Sequence, residues 1–272
     1  MIYLLESDIK TDNRQSSKGN QLKWKKNERW YKADYTGYEG MAEYVVSAFL
    51  QHSSLSEGQF VSYQTEEMMY NSQRYLGCSS PDFMRSGCQM LTWERLYRQT
   101  TARSLQEDVF QIGPVGERLA FLIQQLRRIS GLPEKEITGY LAVILTVDAV
   151  FLNEDRHMHN LAFLLDNRGT YHLCPLFDHG GCLLSDTSMD YPMDRDIYRM
   201  IKEVPGRTVS RNLDDQLDAV ELLQKQPLSF HLSRRQAVQL IEAEPYYPDE
   251  VKRRVTDIIL AQMGKYAYLF TD

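Results

Sequence analysis

The chain has 272 residues, of which 43% are hydrophobic and 25% charged, a composition typical of globular proteins that excludes fibrous, low-complexity and disulfide-framework classes. Its 31 Lys and Arg residues against 37 Asp and Glu give a net charge of −6, which argues against bulk attraction to nucleic acid or anionic lipid. The length predicts one large domain or two modest ones.

The first third of the chain predicts a small sheet that carries one helix. Short segments rich in strand-forming residues alternate with turn-rich stretches, at 1–5, 21–26, 30–33 and 60–64. Between the third and the fourth, residues 38–51 repeat apolar side chains at the three- and four-residue spacing of one helical face. Glu43 lies just off that face.

From about residue 92 onward, helices dominate the predicted structure. Residues 140–152 are apolar nearly all round, so the helix that contains them belongs in a core, although Asp148 lies within the run. This run has 13 residues, fewer than the roughly 20 that cross a bilayer. The predicted helices are 115–130, 134–152, 213–224, 233–244 and 249–263. The fold class is therefore α+β, with a sheet-bearing N-terminal lobe over 1–91 and a helical lobe over 92–272.

The cysteines and the N-terminal residues indicate the cellular setting. Cys78, Cys88, Cys174 and Cys182 are too far apart for a Cys-x-x-Cys zinc or redox pair, so we expect reduced thiols. The first residues have no basic n-region, long apolar stretch or small-residue cleavage site. We therefore expect a cytoplasmic protein with neither a membrane nor a nucleic-acid partner.

A dense polar segment, residues 153–160, directly follows the predicted core helix. Residues 161–165 then predict a buried strand, 166–169 a turn and 170–174 a returning strand. Because opposite residues of an antiparallel pair lie about 5 Å apart, we expect Asn160 and Asp178 to meet at the open end of this hairpin.

These side chains, with Asp155 on the same loop, are hard oxygen donors of the kind that bind magnesium. Phosphoryl transfer uses such a set: one Asp accepts the hydroxyl proton, an Asn and a second Asp hold the metal, and a Lys holds phosphate. The sequence therefore predicts a phosphoryl-transfer site.

The Asp-Arg-His-Met-His-Asn run at 155–160 and the Leu-Phe-Asp run at 176–178 resemble the catalytic and metal-binding loops of HipA-like kinases and the related phosphatidylinositol kinases. The resemblance implies a bilobal protein-kinase-like fold and ATP- and magnesium-dependent transfer to a Ser or Thr hydroxyl of a protein substrate. It implies Asp155 as the catalytic base and Asn160 and Asp178 as ligands of metal and nucleotide. His157 is a further catalytic candidate, which either assists the transition state or supports the loop.

The same resemblance implies a phosphate-binding lysine on the third strand, and Lys32 is the match. Glu43 is its implied ion-pair partner on the following helix. Ser17 and Gly19 are candidate nucleotide contacts in residues 16–20, which hold a single glycine where the family has a glycine-rich loop. The adenine is expected against a connecting segment near 75–79. HipA toxins also carry an extra N-terminal segment and bind a DNA-binding antitoxin, but the lysine strand here begins too early to infer such a partner.

Other functions stay open at this point. A small-molecule or lipid kinase would use the same residues, and a nucleotide-binding pseudokinase would fit the single glycine. A metal-dependent hydrolase built on the His-x-His spacing would leave Asn160 and Lys32 without roles. That metal centre would use His157, His159, Asp155, Asp178 and His179.

Overall fold

The structure is a computed structural model that describes residues 1–10, 21–84, 86–224 and 228–271. These residues fold into a mixture of α-helices and short β-strands. In chain order the elements are β1 (Ile2–Tyr3), β2 (Lys23–Lys26), β3 (Arg29–Ala33), α1 (Glu39–Gln51), β4 (Gln64–Tyr70), β5 (Gln73–Pro81), β6 (Gln89–Thr92), α2 (Trp93–Thr101), α3 (Leu105–Gln111), α4 (Val115–Ser130), α5 (Glu134–Phe151), β7 (Ala162–Leu165), β8 (Tyr171–Leu173), α6 (Ile197–Glu203), α7 (Leu213–Glu221), α8 (Arg234–Glu242) and α9 (Asp249–Lys265).

The chain divides into two compact units, each assembled from separate stretches of sequence. Unit 1 comprises Met1–Phe83, Phe177–Glu203 and Ser229–Asp272, and unit 2 comprises Met84–Leu176 and Val204–Leu228. This division differs from the single boundary predicted at residue 91, because two later segments belong to the same compact unit as the N-terminal sheet. The lobe boundary itself stays a prediction.

Unit 1 contains a five-stranded sheet, counted over the described residues, in the order β1-β4-β5-β3-β2. β1 runs parallel to β4, and the other pairs are antiparallel. The β2–β3 hairpin turns through Asn27 and Glu28, which both have positive φ, as a tight two-residue turn requires. Trp24, Tyr31 and Ala33 face one core of this unit, so alternation along β3 directs Lys32 to the opposite face.

Helix α1 packs on β4 and β5, and further along the chain α8 packs on α1 and α9. The residues of α1 are buried almost without interruption from Glu39 to Leu50. This burial fixes the helix firmly in unit 1 and with it the side chain of Glu43.

Unit 2 is built around the buried helix α5, which packs against α4 and α7. Strands β6, β7 and β8 form a separate sheet in that order. The predicted hairpin is present, with Phe163 opposite Leu173, and its turn is held by the Asp166 carboxylate, which accepts the backbone N–H groups of Arg168 and Thr170.

The helices predicted at 38–51, 115–130 and 134–152 are confirmed to within a residue at each end. The strand predicted over 60–64 is wrong, because β4 begins at Gln64. Their apolar side chains make Val61 and Tyr63 typical of a strand, yet both residues lie outside the sheet and pack against Cys78 of β5.

The expectation that residues 75–79 form a connecting segment is also wrong, whereas the adenine contact expected there stays a prediction. These residues lie in the middle of β5, where all of them pair with β4 and residues 77–79 pair with β3 as well. Ser17 and Gly19 lie outside the described residues. None of the helices in the described part of the chain combines the length and apolar character needed to cross a bilayer.

Candidate active site

Lys32 lies at the centre of a buried ionic cluster in unit 1. Its Nζ donates to Glu43 Oε1 at 2.6 Å and to Asp178 Oδ1 at 3.0 Å. The Glu43 side chain is 2% exposed and that of Lys32 15%, whereas that of Asp178 is 32% exposed. One ammonium is therefore shared by a buried carboxylate and a carboxylate that is open to solvent.

Glu43 also fixes the segment that carries Asp178. While Oε1 accepts the Lys32 ammonium, Oε2 accepts the backbone N–H of His179 at 2.7 Å. A single glutamate on α1 thus binds β3 and residues 178–179 together. Charge-assisted bonds of this kind are about twice as strong as neutral ones.

Tyr63 lies against the same cluster. Its ring centroid is 5.4 Å from Lys32 Nζ, and its hydroxyl accepts the backbone N–H of Asp178 at 3.4 Å. The Tyr63 N–H donates in turn to Ser47 Oγ on α1 at 3.0 Å. Asp178 has a φ of +61°, a left-handed conformation that costs a non-glycine residue about 1–3 kcal/mol. The surrounding contacts hold the aspartate in this conformation.

The electrostatics of the cluster favour a charged lysine. Desolvation opposes the ammonium, but the carboxylates of Asp178 and Glu43 outweigh it and raise the pKa of Lys32 well above its ordinary value. Burial raises the pKa of Glu43, against the attraction of Lys32. A lysine held in its charged form beside a partly open carboxylate can bind an anionic oxygen such as that of a phosphate.

Cys78 lies opposite Lys32 in the β3–β5 register. Burial raises the pKa of its thiol well above the ordinary value, so this cysteine is a packed side chain and not a nucleophile.

In unit 2, the segment between α5 and β7 is anchored on the buried Asp148. Its carboxylate accepts Arg156 Nε at 3.1 Å and Asn153 Nδ2 at 2.8 Å. Asp148 is fully buried and Arg156 is 3% exposed. Buried charges need a partner, so the pair fixes where the loop leaves the helix.

Asp155 and Asn160 are joined across this loop. Asn160 Nδ2 donates to the Asp155 backbone carbonyl at 2.8 Å, and the Asp155 N–H donates to Asn153 Oδ1 at 3.1 Å. Because the amide nitrogen of Asn160 is used internally, its amide oxygen is the atom available to a cation. His157 Nε2 lies 3.7 Å from Asp155 Oδ1, beyond hydrogen-bond distance, and its Nδ1 accepts the N–H of His159.

Gln106 supports the same loop from α3. Its Oε1 accepts the N–H of Met158 at 3.2 Å, while its Nε2 donates to the Arg207 carbonyl at 2.8 Å. Its own N–H donates to the buried Glu94 at 3.1 Å. The Gln-Glu-Asp run at 106–108 gives no indication in the sequence of this supporting role.

The structure thus gathers Lys32, Glu43 and Asp178 in unit 1. It gathers Asp155, His157 and Asn160 on one loop of unit 2. The predicted meeting of Asn160 with Asp178 involves both units and stays a prediction. Within the described residues of unit 2, no three His, Cys, Asp or Glu side chains lie within reach of one ion, so the His-x-His pair gathers no third ligand there.

The sequence alone did not identify three supporting residues, Asp148, Tyr63 and Gln106. Asp148 gave a usable signal, since a lone acid in an apolar helix needs a partner. Tyr63 and Gln106 gave none, because their roles depend on contacts with distant parts of the chain.

Each unit, taken by itself, offers oxygen donors of the kind that magnesium binds. Asp178 presents a carboxylate that is 32% exposed, and Asn160 presents an amide oxygen. Both are the oxygen ligands that Mg²⁺ prefers, and Lys32 supplies positive charge for phosphate.

The chain has the fold of a protein kinase. No family model matches it, and no curated protein matches it either. Among solved structures, it is similar to the crystal structure of the Helicobacter pylori proinflammatory kinase CtkA, with a TM-score of 0.67 and 14% sequence identity, over 97% of this chain and 95% of that one. The α+β, bilobal protein-kinase-like fold class predicted from the sequence is therefore confirmed.

Proposed function

We propose that this protein is an ATP- and magnesium-dependent phosphotransferase, specifically a HipA-like kinase that phosphorylates Ser or Thr hydroxyls of a protein substrate. The observation that carries the proposal is the Lys32 ammonium bound by both Glu43 and Asp178. The likeness of the fold to a kinase supports it.

In this proposal Lys32 binds the phosphates of ATP. Glu43 orients Lys32 and keeps it charged, since its buried carboxylate contacts the ammonium at 2.6 Å. Lysine–glutamate pairs of this kind must be formed for protein kinases to be active. Ser17 and Gly19 complete the proposed nucleotide contacts.

Asp178 and Asn160 would hold magnesium through a carboxylate and an amide oxygen. Bound magnesium neutralises the charge that develops on the transferred phosphoryl group. Asp178 is suited to this task because Lys32 and Tyr63 fix its carboxylate and its backbone.

Asp155 is the proposed general base, which accepts the proton of the attacking hydroxyl. Its loop is tied to α5 through Arg156 and Asp148, and to α3 through Gln106. A base on an anchored loop keeps its distance to the hydroxyl, as proton transfer requires. His157 accompanies Asp155, either in the transition state or as support for the loop.

The proposed partners are ATP and a protein substrate, in the cytoplasm. A lipid or small-molecule acceptor would use the same residues, so the acceptor must be determined by experiment. A pseudokinase would bind ATP without transferring phosphate.

The test is incubation with γ-³²P-ATP and magnesium, alone and with casein, phosphatidylinositol vesicles or free small-molecule alcohols, followed by phosphoamino-acid analysis. We expect label on serine or threonine in wild type, and its loss in Lys32→Met and Asp178→Asn. Lys135→Met and Asp194→Asn are matched controls, because both residues are exposed and lie outside the proposed site.

Transfer only to lipid or to a small molecule would reassign the acceptor. ATP binding without any transfer would indicate a pseudokinase. Label that persists in both site variants, or stoichiometric zinc without ATP binding, would contradict the proposal.

A further inference from the structure

The position of α1 decides whether Glu43 reaches Lys32. The N-terminal end of this helix is bound by side chains from the C-terminal part of unit 1, near the turn between α8 and α9. Two separate hydrogen-bond networks make this connection.

The first network passes through Asp34, just after β3. Its Oδ1 accepts the N–H of Gly40 at 2.7 Å, and its Oδ2 accepts the hydroxyl of Tyr247 at 2.6 Å. Tyr247 is 5% exposed. Its backbone is fixed by the buried Glu244, whose carboxylate accepts the N–H groups of Tyr246 and Tyr247 at 2.8 Å each.

The helix end is also closely packed at this point. A Cβ on Gly40 would lie 2.4 Å from the carbonyl carbon of Gly77 in β5 and 2.6 Å from the Tyr247 hydroxyl. Gly40 is therefore enclosed by the sheet on one side and by Tyr247 on the other, with no room for a side chain.

The second network passes through Arg254, a residue of α9 that is 5% exposed. Its Nε donates to the Tyr38 hydroxyl at 3.0 Å, and that hydroxyl donates to the Leu183 carbonyl at 2.7 Å. Arg254 Nη2 also donates to the Tyr191 carbonyl at 2.8 Å. The residue that precedes α1 is thus tied both to α9 and to the segment that follows Asp178.

We propose that residues 244–254 form an intramolecular clamp that positions α1 and thereby holds Glu43 on Lys32, with Tyr247 and Arg254 as positioning residues. The catalytic consequence rests on the proposed kinase function, whereas the clamp itself concerns only the folded chain. Tyr247 and Arg254 act at the N-terminal end of the helix, in addition to the packing of α1 on β4, β5 and α8.

Loosening the helix end has a definite chemical consequence at Lys32. When Glu43 withdraws, the ammonium loses one of its two carboxylate partners. The Lys32 side chain, which is 15% exposed while Glu43 covers it, then becomes more accessible and reacts faster with an acylating reagent.

The test variant is Tyr247→Phe, which removes one hydroxyl and keeps the ring. Tyr246→Phe is the matched control, because the Tyr246 hydroxyl makes no hydrogen bond to the described part of the chain. Three quantities are measured: amide exchange over residues 38–46, acetylation of Lys32 by acetic anhydride, and kcat with KM for ATP. A melting curve checks that each variant is folded.

We expect Tyr247→Phe to speed exchange at Gly40 and acetylation of Lys32 by about fivefold, the effect of losing one hydrogen bond. We expect kcat to fall several-fold, and Tyr246→Phe to match wild type in all three measurements. The same three measurements on Arg254→Met test the second hydrogen-bond network, with Arg253→Met, at an exposed neighbouring position, as the control.

Unchanged Lys32 acetylation in both Tyr247→Phe and Arg254→Met, with both proteins folded, would overturn the clamp. Faster acetylation in a protein whose wild type transfers no phosphate would support the clamp and contradict the proposed function. The two failures are therefore distinguishable.

Discussion

Replacing Asp34 with Asn should change how the stability of the protein depends on pH. Desolvation of the carboxyl, followed by repulsion from Glu39, raises the pKa of Asp34 to about 7, although the bonds from Tyr247 and Gly40 favour the charged form. The nearby Glu244 adds to this repulsion. The folded protein therefore holds a proton on Asp34 that the unfolded chain releases near pH 4.

The sign follows from linkage. Because the folded state binds this proton more tightly, the contribution of Asp34 to the free energy of unfolding is highest at low pH and falls as pH rises from about 4 to about 7. Each pH unit well inside this window is worth about 1.4 kcal/mol and the slope levels off at the folded pKa, so the fall between pH 5 and pH 8 is about 2.5 kcal/mol. Asn at this position cannot titrate, yet it can still accept from Gly40 and donate to the Tyr247 hydroxyl.

The assay is urea unfolding of wild type, Asp34→Asn and the exposed control Asp194→Asn at pH 5 and pH 8. The stability of Asp34→Asn relative to wild type should rise by about 2.5 kcal/mol between the two pH values, while the stability of the control should change with pH by the same amount as that of wild type. Other titrating groups are common to all three proteins and cancel in the comparison. A difference between Asp34→Asn and wild type that does not change with pH would refute the reasoning.

Two further predictions concern the supporting residues. Asp148→Leu and Arg156→Met should each cost about 3–5 kcal/mol in urea unfolding, because each leaves a buried charge without its partner, and the double variant should cost less than the sum. Additive losses would show that the pair is not coupled. Tyr63→Phe should raise the magnesium concentration needed for half-maximal phosphate transfer several-fold, since the Asp178 backbone loses its acceptor. An unchanged magnesium dependence beside a lowered melting temperature would assign Tyr63 a role in packing alone.

Periodicity was sufficient to predict the helices that build the cores. α4 ends and α5 begins where the sequence predicts, because Gly131 terminates the first helix and Pro133 precedes the second. β5 could not be predicted in the same way. Its Gly-Cys-Ser-Ser stretch has no apolar alternation, and its extended conformation depends on β3 and β4 on either side.

For the site, too, the sequence could predict the residues that follow a local pattern and not those that depend on distant contacts. Lys32 and Glu43 could be proposed because a strand lysine and the following helix match a known pattern, and the ion pair between them is present. Tyr63, Gln106 and Tyr247 could not be proposed, because each acts on a residue that is distant in sequence. Such contacts depend on the tertiary structure, which no local pattern encodes.

The most direct measurement is the single-turnover rate of γ-phosphate transfer by Asp155→Asn relative to wild type, with ATP binding measured by calorimetry on the same preparations. A general base contributes about 10²–10⁴-fold, so the rate should fall within that range while ATP still binds through Lys32. Equal rates in the two proteins would contradict the assignment of Asp155 as the base and, with it, the proposed site.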